Sequence, residues 1–264
     1  MTSTLGAAGA MLICLMGCSS PARAQDVSST TRDIPRQSSD HILVGLGVVA
    51  MPTYQGSDDY RVLPIPMVDI VSGPFFANLR NGVGVNVIET RSFTLGGSVA
   101  MMPGYRRRDV PQGIGRVTVG AGGRLFATVK AGGAILSVGG AQGFVGSTQG
   151  VIADASIAYP IMASERLIVI PSMGTSWADE KHNGRYFGIS RSEAIASGLP
   201  GYRLGDGFKD FTVGLTTSYR LSQRISIIAS TNVSTLVGDV KNSPLVKKRT
   251  QATSFLSVDY LIGK

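Results

Sequence analysis

The run from Phe211 to Leu221, F-T-V-G-L-T-T-S-Y-R-L, constrains this chain more than any other stretch. Phe211, Val213, Leu215, Tyr219 and Leu221 share one face, interrupted only by Thr217, while Thr212, Gly214, Thr216, Ser218 and Arg220 share the other. A period of two sustained this long dictates a strand with one apolar and one polar face. Strands of soluble sheets usually run about 5 or 6 residues. Strands near 10 residues, repeated behind a secretion signal, suit a tilted crossing of a bilayer. Charged residues make up only 16% of the chain and none of its later apolar runs reaches the roughly 18 to 20 residues of a spanning helix. A membrane reading therefore requires a closed barrel, the other structure that satisfies every backbone polar group in lipid. The fold expected is all-β, a transmembrane antiparallel β-barrel.

The N-terminus carries the secretion signal that this reading needs. Ala7 to Met16 is a short apolar core, and Ala22-Arg23-Ala24 has the small-x-small form of a cleavage site before Gln25, although no basic segment precedes the core. A lipoprotein signal competes, because Leu15-Met16-Gly17-Cys18 would leave Cys18 as a lipid-bearing N-terminus. Cys14 is removed on either reading, so neither a disulfide nor a thiolate metal site is expected, and no cofactor. The organisation expected is a signal peptide over 1–24, a flexible periplasmic arm over 25–40 that is polar and aperiodic, and the barrel over 41–264. The formal charge of +8 fits basic loops or an anionic surface partner such as lipopolysaccharide, and a secretion signal argues against nucleic acid.

Strand-like runs fall at about His41–Met51, Arg61–Val71, Phe75–Arg80, Val83–Glu89, Ser92–Pro103, Arg116–Val129, Gly133–Phe144, Gly150–Tyr159, Arg166–Trp177, Phe211–Leu221, Ile225–Val237 and Thr250–Ile262. Bacterial single-chain barrels have even strand numbers, short periplasmic turns and longer outer loops. If the chain bends back near Asn81, the count is twelve, and the long segments Thr53–Tyr60, Gly104–Gly115, Ala178–Asp210 and Gly238–Arg249 all lie outside. Ten strands with one segment in the lumen is the alternative.

Several motifs carry a resemblance. Tyr54-Gln55-Gly56-Ser57-Asp58-Asp59-Tyr60 precedes Pro64-Ile65-Pro66. Tyr186-Phe187-Gly188-Ile189 precedes Ala194 to Leu199, with Ser197-Gly198 inside it, and Tyr202. Gly205-Asp206-Gly207 with Lys209-Asp210, then Gly238-Asp239 with Ser243-Pro244-Leu245-Val246, complete the series. In order and spacing these blocks resemble the MipA/OmpV family, whose name refers to a protein that interacts with MltA, a murein lytic transglycosylase. The resemblance implies an outer-membrane barrel of a Gram-negative bacterium, a scaffold between a murein lytic transglycosylase and a murein synthase. Some relatives look like adhesins or are linked to antibiotic susceptibility. One departure is the ending Gly263-Lys264, where the family ends on an aromatic residue read during assembly.

Candidate chemistry is sparse. Gly56-Ser57-Asp58-Asp59 could hold a metal or a carboxylate pair, but Gly, Ser and Asp are also what a tight turn needs, and the turn is expected. Pro64 and Pro66 remove two donors from one strand face and belong at a bulge or a mouth. In the loop Ala178–Asp210 a short helix is expected over Arg191–Gly198, capped by Ser190 with Glu193 three positions on, and Tyr186 and Phe187 are expected to pack beneath it over the lumen. His182 lies near Asp179, Glu180, Ser176 and Ser190 in sequence, so a serine–histidine–acid site can be drawn, without the Gly-x-Ser-x-Gly elbow that would support it. No enzyme is expected. Arg106-Arg107-Arg108 and Lys247-Lys248-Arg249 fall in outer loops, either solvated or in contact with lipopolysaccharide phosphates. Arg124 and Arg220 are expected in the lumen, either setting anion preference or paired with Glu89 or Asp259. A monomeric scaffold is the leading expectation, a narrow passive pore and a surface adhesin its rivals.

Overall fold

The computed structural model describes residues 40–146 and 148–262; the expected signal peptide and nearly all of the arm lie outside them. The described chain is a closed antiparallel β-barrel. Neighbouring strands pair in sequence from β1 (His41–Pro52) through β2 (Tyr60–Ser72), β3 (Phe75–Asn78), β4 (Gly82–Glu89), β5 (Phe93–Met102), β6 (Gly120–Ala131), β7 (Ala134–Val145) and β8 (Val151–Ala158). The stub β9 (Ile161–Met162), β10 (Leu167–Ala178), β11 (Gly207–Arg220), β12 (Ile225–Leu236) and β13 (Thr250–Ile262) complete the order. Nine residue pairs, Ile42–Ala50 against Ser254–Ile262, then join β13 back to β1.

The circumference is twelve strands, because β8 and β9 are one. Both pair with β10 in a single register, Ala158 opposite Ser172 and Ile161 opposite Val169, and the Tyr159 amide between them donates to the Pro171 carbonyl at 3.0 Å. Pro160 lacks the next ladder donor, which interrupts the strand without displacing it. The bend near Asn81 is also present, as the short hairpin β3–β4. Arg116 to Val119 lies outside β6, with Val117 bridged to Tyr105 as an extension of the outer loop.

The period-two pattern becomes the two faces of this wall. On β13, Leu256, Val258 and Tyr260 point outward and are exposed, while Phe255, Ser257 and Asp259 point inward and are buried. The same holds on β11, where the apolar residues Phe211, Val213, Leu215 and Tyr219 form the exposed face. A chain that turns its apolar faces outward and its serines, threonines and asparagines inward has lipid as its outer solvent. Exposed aromatic residues frame the apolar band, Phe75, Tyr159, Tyr219 and Tyr260 at one rim and Tyr60, Phe144 and Phe208 towards the other, as interfacial girdles do.

One part of the wall is incomplete. β3 pairs only with Asp69–Ser72 of β2, and β4 reaches no further along β5 than Val99. Tyr60–Val68 of β2 therefore pairs with β1 on one side and, among the described residues, with no strand on the other. Pro64 and Pro66 lie in this stretch, at neither a bulge nor the mouth. The β1–β2 ladder runs unbroken through both, which requires that their nitrogens face away from β1, towards the open side.

The plugged outer mouth as candidate functional site

The long outer segments fold into a second core that closes the barrel. The segment between β10 and β11 forms α1 (Glu180–Tyr186) and α2 (Arg191–Ser197). Asp179 caps α1 by accepting the His182 amide at 2.7 Å. At α2, Ser190 and Glu193 form the expected capping box, and Gly198 ends the helix in the left-handed conformation at φ 72°. Between and beneath these helices, Tyr54, Tyr105, Tyr186, Phe187, Ile189, Leu204, Val240 and Leu245 bury one another. Tyr105 packs edge-on to Tyr186 at 5.1 Å, and Tyr186 against Phe187 at 4.7 Å.

Most of the motif residues singled out from the sequence meet here. The Tyr54 hydroxyl donates to the Leu245 carbonyl at 2.8 Å, and the Ser243 hydroxyl to the Phe187 carbonyl at 2.6 Å. The Tyr186 hydroxyl accepts the Gln55 amide, and the Tyr202 hydroxyl donates to the Asp239 carbonyl at 2.9 Å. Ser197 donates back to the Glu193 carbonyl inside α2. Gly56 sits at φ 104° with its carbonyl accepting both the Lys247 and Lys248 amides, and a Cβ there would meet Val246. Gly188 and Gly238 are closed in the same way, by the Gly184 and Phe208 carbonyls, and Pro244 lies between Ser243 and Leu245. Ser57 and Asp59 make the expected turn, the Ser57 hydroxyl accepting the Asp59 amide at 3.1 Å, while Asp58 faces Lys247 at 3.3 Å. Among the described residues no cluster of metal-ligating side chains occurs.

Under the plug lies a charged layer that sequence reasoning missed. Strand β11 carries a bulge: Asp210 lies opposite Ser176 but Phe208 opposite Trp177, so that Lys209 is the extra residue between them. The bulge turns both Lys209 and Asp210 inward, where an unbroken strand would send one outward. Lys209 Nζ lies 3.2 Å from Asp210 Oδ2 and donates to Gln55 Oε1 at 2.9 Å. Gln55 and Ser176 each donate to Asp210 Oδ2 at 2.8 Å. Gln251 closes the layer, accepting the Gly56 amide at 2.8 Å and donating to the Ser57 carbonyl. The visible signal was the pair Lys209-Asp210, two adjacent charges at the start of an otherwise alternating strand.

Below this layer a lumenal cavity of about 250 Å³ is crossed by a fork of Arg124 to Asp154, at 2.6 and 2.9 Å. Arg124 thus takes neither Glu89, which accepts from Asn86, nor Asp259, which accepts from Ser257. Arg220 is outside the lumen, donating to the Glu165 carbonyl at the far rim. Of the basic triplets, Arg108 is 74% exposed beside Asp109, and Arg249 holds the Lys241 carbonyl.

The drawn serine–histidine–acid site does not assemble. Ser176 is committed to Asp210, Ser190 and Asp179 are helix caps, and His182 is buried and stacked on Tyr186. His41 is at the opposite end of the barrel, beside Asp69. Burial, reinforced by the charge of Lys209, pushes the His182 pKa down to about 3, so the imidazole is neutral. In the unfolded chain it takes its proton near 6.5, hence its contribution to stability is complete above that pH and lost as pH falls towards 3. At pH 4 the loss is about 3 kcal/mol. Proteolysis of the outer segment is expected to rise steeply between pH 6.5 and 4, and His182→Asn to flatten that rise.

Residues 44–262 match the model of a family described as MltA-interacting protein MipA. The chain is 34% identical over 82 residues to the MltA-interacting protein of Escherichia coli K12, covering 31% of this chain and 33% of that one. It is 28% identical over 135 residues to the E. coli K12 protein YiaT, described as an outer membrane protein, and the alignment spans 51% of each chain. It is 24% identical over 237 residues to the 24 kDa outer membrane protein of Pasteurella multocida Pm70, covering 83% of this chain and 90% of that one. The chain thus spans about half the length of YiaT and a third of the MltA-interacting protein. Among solved structures, the NanC porin overlaps 83% of this chain and 98% of its own at 8% identity, with a TM-score of 0.44.

Proposed function

The chain belongs to the MltA-interacting protein MipA family and is an outer-membrane protein, and from that premise we propose that it is a non-enzymatic scaffold that holds a murein lytic transglycosylase and a murein synthase at the outer membrane. The observation that carries this reading is the plug. Four outer segments are spent on a packed aromatic core over a fully paired charged layer, which suits a rigid platform and opposes the rival reading of an open passive pore. Murein enzymes act on the periplasmic side, where the described chain offers only tight turns. The arm 25–40, with Arg32 and Arg36, is the element proposed to contact them.

The test is affinity capture of the mature protein from gently solubilised envelopes, with partners identified by mass spectrometry. Recovery of a lytic transglycosylase and a synthase, lost when 25–40 is deleted, is the expected result. Capture that survives the deletion transfers the contact to the barrel rim, and recovery of no murein enzyme overturns the scaffold. A surface-binding role is supported separately by the outer basic residues, among them the exposed Arg108. Replacing Arg106, Arg107, Arg108, Lys247, Lys248 and Arg249 with Gln is expected to lower co-purifying lipopolysaccharide, and an unchanged amount counts against that contact.

A further inference from the structure

We propose that the incomplete wall between β2 and β5 is a lateral portal, through which an acyl chain of the surrounding bilayer reaches the lumenal cavity. The inference rests on the barrel, and is independent of the scaffold reading.

The gap has a floor, a lintel and two sides. Its floor is the turn of the short β3–β4 hairpin, from Leu79 to Asn81. Its lintel is the ion pair between Arg61 on β2 and Asp109 in the 3-10 turn Arg107–Asp109 of the β5–β6 loop, at 3.4 Å. One side is the open edge of β2, and the other is the end of β5 beyond Val99. From Val62 to Val68 the opening runs about 20 Å along the strand, at roughly 3.3 Å per residue.

An unpaired edge in hydrocarbon is costly, because its donors and acceptors find no water. In this stretch Pro64 and Pro66 delete two of the donors that face the gap. The same prolines prevent another strand from completing a ladder along this edge. The sequence thus lowers the cost of an open edge in lipid and keeps it open, two effects that a gap left by chance would not combine.

Both faces of the gap are apolar. On the lipid side Val62, Val83, Val99 and Met101 are all more than half exposed. On the lumenal side Leu63, Ile65 and Met67 of β2 and Leu79 of the hairpin form part of an apolar cluster, where a barrel interior is ordinarily polar. On the side next to the gap the cavity is lined by Leu79 and Arg80 of the floor and by Ala100 and Met102 of β5, Arg80 reaching across to donate to Ser156 at 3.2 Å. The plug closes the aqueous mouth above it, so the route the wall leaves to this cavity from the outer half is sideways. An acyl chain matches in polarity the gap and the side of the cavity next to it, the far side carrying the fork of Arg124 to Asp154, and its polar head has no need to enter.

The proposal is tested on the intact, folded protein in vesicles containing phosphatidylcholine with a photoactivatable diazirine on the acyl chain. After illumination, labelled residues are mapped by mass spectrometry. Label on the inward-facing Leu79, Ala100 or Met102, together with outward residues such as Val99, is the expected result. Label confined to outward-facing residues overturns the portal. A second measurement uses Trp177→Phe, which removes the one tryptophan, as background, and brominated acyl chains as quencher. Met102→Trp, at the gap, is expected to be quenched as strongly as the lipid-facing Leu125→Trp. Ile152→Trp, in the same cavity behind complete wall, is expected to keep its fluorescence. Equal protection of Met102→Trp and Ile152→Trp overturns the proposal, and gel mobility before and after heating confirms that each variant is a folded barrel.

Discussion

Asp210→Ala is expected to destabilise the barrel by about 3–5 kcal/mol, because it strands the buried Lys209 ammonium without its counter-charge. The carboxylate also accepts from Gln55 and Ser176, so its removal unties the β1–β2 loop, β10 and β11 at one point. Replacing both charges together, Lys209→Met with Asp210→Leu, is expected to cost much less than the single change, since an apolar pair of similar volume leaves no uncompensated charge. Urea unfolding in lipid vesicles, followed by the fluorescence of Trp177, measures both. A single variant no worse than the double would mean that solvent or a neighbouring group already compensates Lys209.

Phe187→Ala is expected to open the plug without unfolding the strands. The ring is wholly buried among Tyr186 and its neighbours, and its carbonyl anchors Ser243 from another outer segment. Truncating a buried phenylalanine costs about 3–5 kcal/mol, and a loss of 3 kcal/mol multiplies the locally open population roughly a hundredfold. Trypsin added to whole cells is expected to cut the variant after Lys181, Arg185 or Arg191 while sparing the parent protein. Uncut variant loops would show that the other aromatic residues hold the plug alone.

What was legible in the sequence was what one strand settles by itself. Alternation assigned the faces of β11 and β13, loop lengths on the two sides gave twelve strands, and Ser190 with Glu193 gave α2. Features set by two strands at once were not legible. The Lys209 bulge arises from the register between β10 and β11, and the fork of Arg124 to Asp154 from the curvature that carries β6 towards β8. The fork leaves no pattern within one strand, and the bulge only the adjacent charges Lys209-Asp210. Pro64 and Pro66 mark two missing donors, but where those donors would have pointed depends on how far β3 reaches. Helix α1 had a cap signal at Asp179, weakened by Gly184 inside the helix.

The seam between β1 and β13 orders assembly in time. Hairpins such as β12–β13 join neighbours along the chain and form early, whereas the seam joins opposite ends of the described chain and pays its loop-closure entropy last. Gly45 and Gly47 lie where a side chain would strike Asp259 and Phe255 across that seam, so its fit is tested only at the moment of closing. Until then β1 and β13 both expose free edges, on which a second copy could pair and aggregate. The barrel's vulnerable interval is therefore its birth, and a factor that occupies the β1 edge as a temporary stave would shorten it.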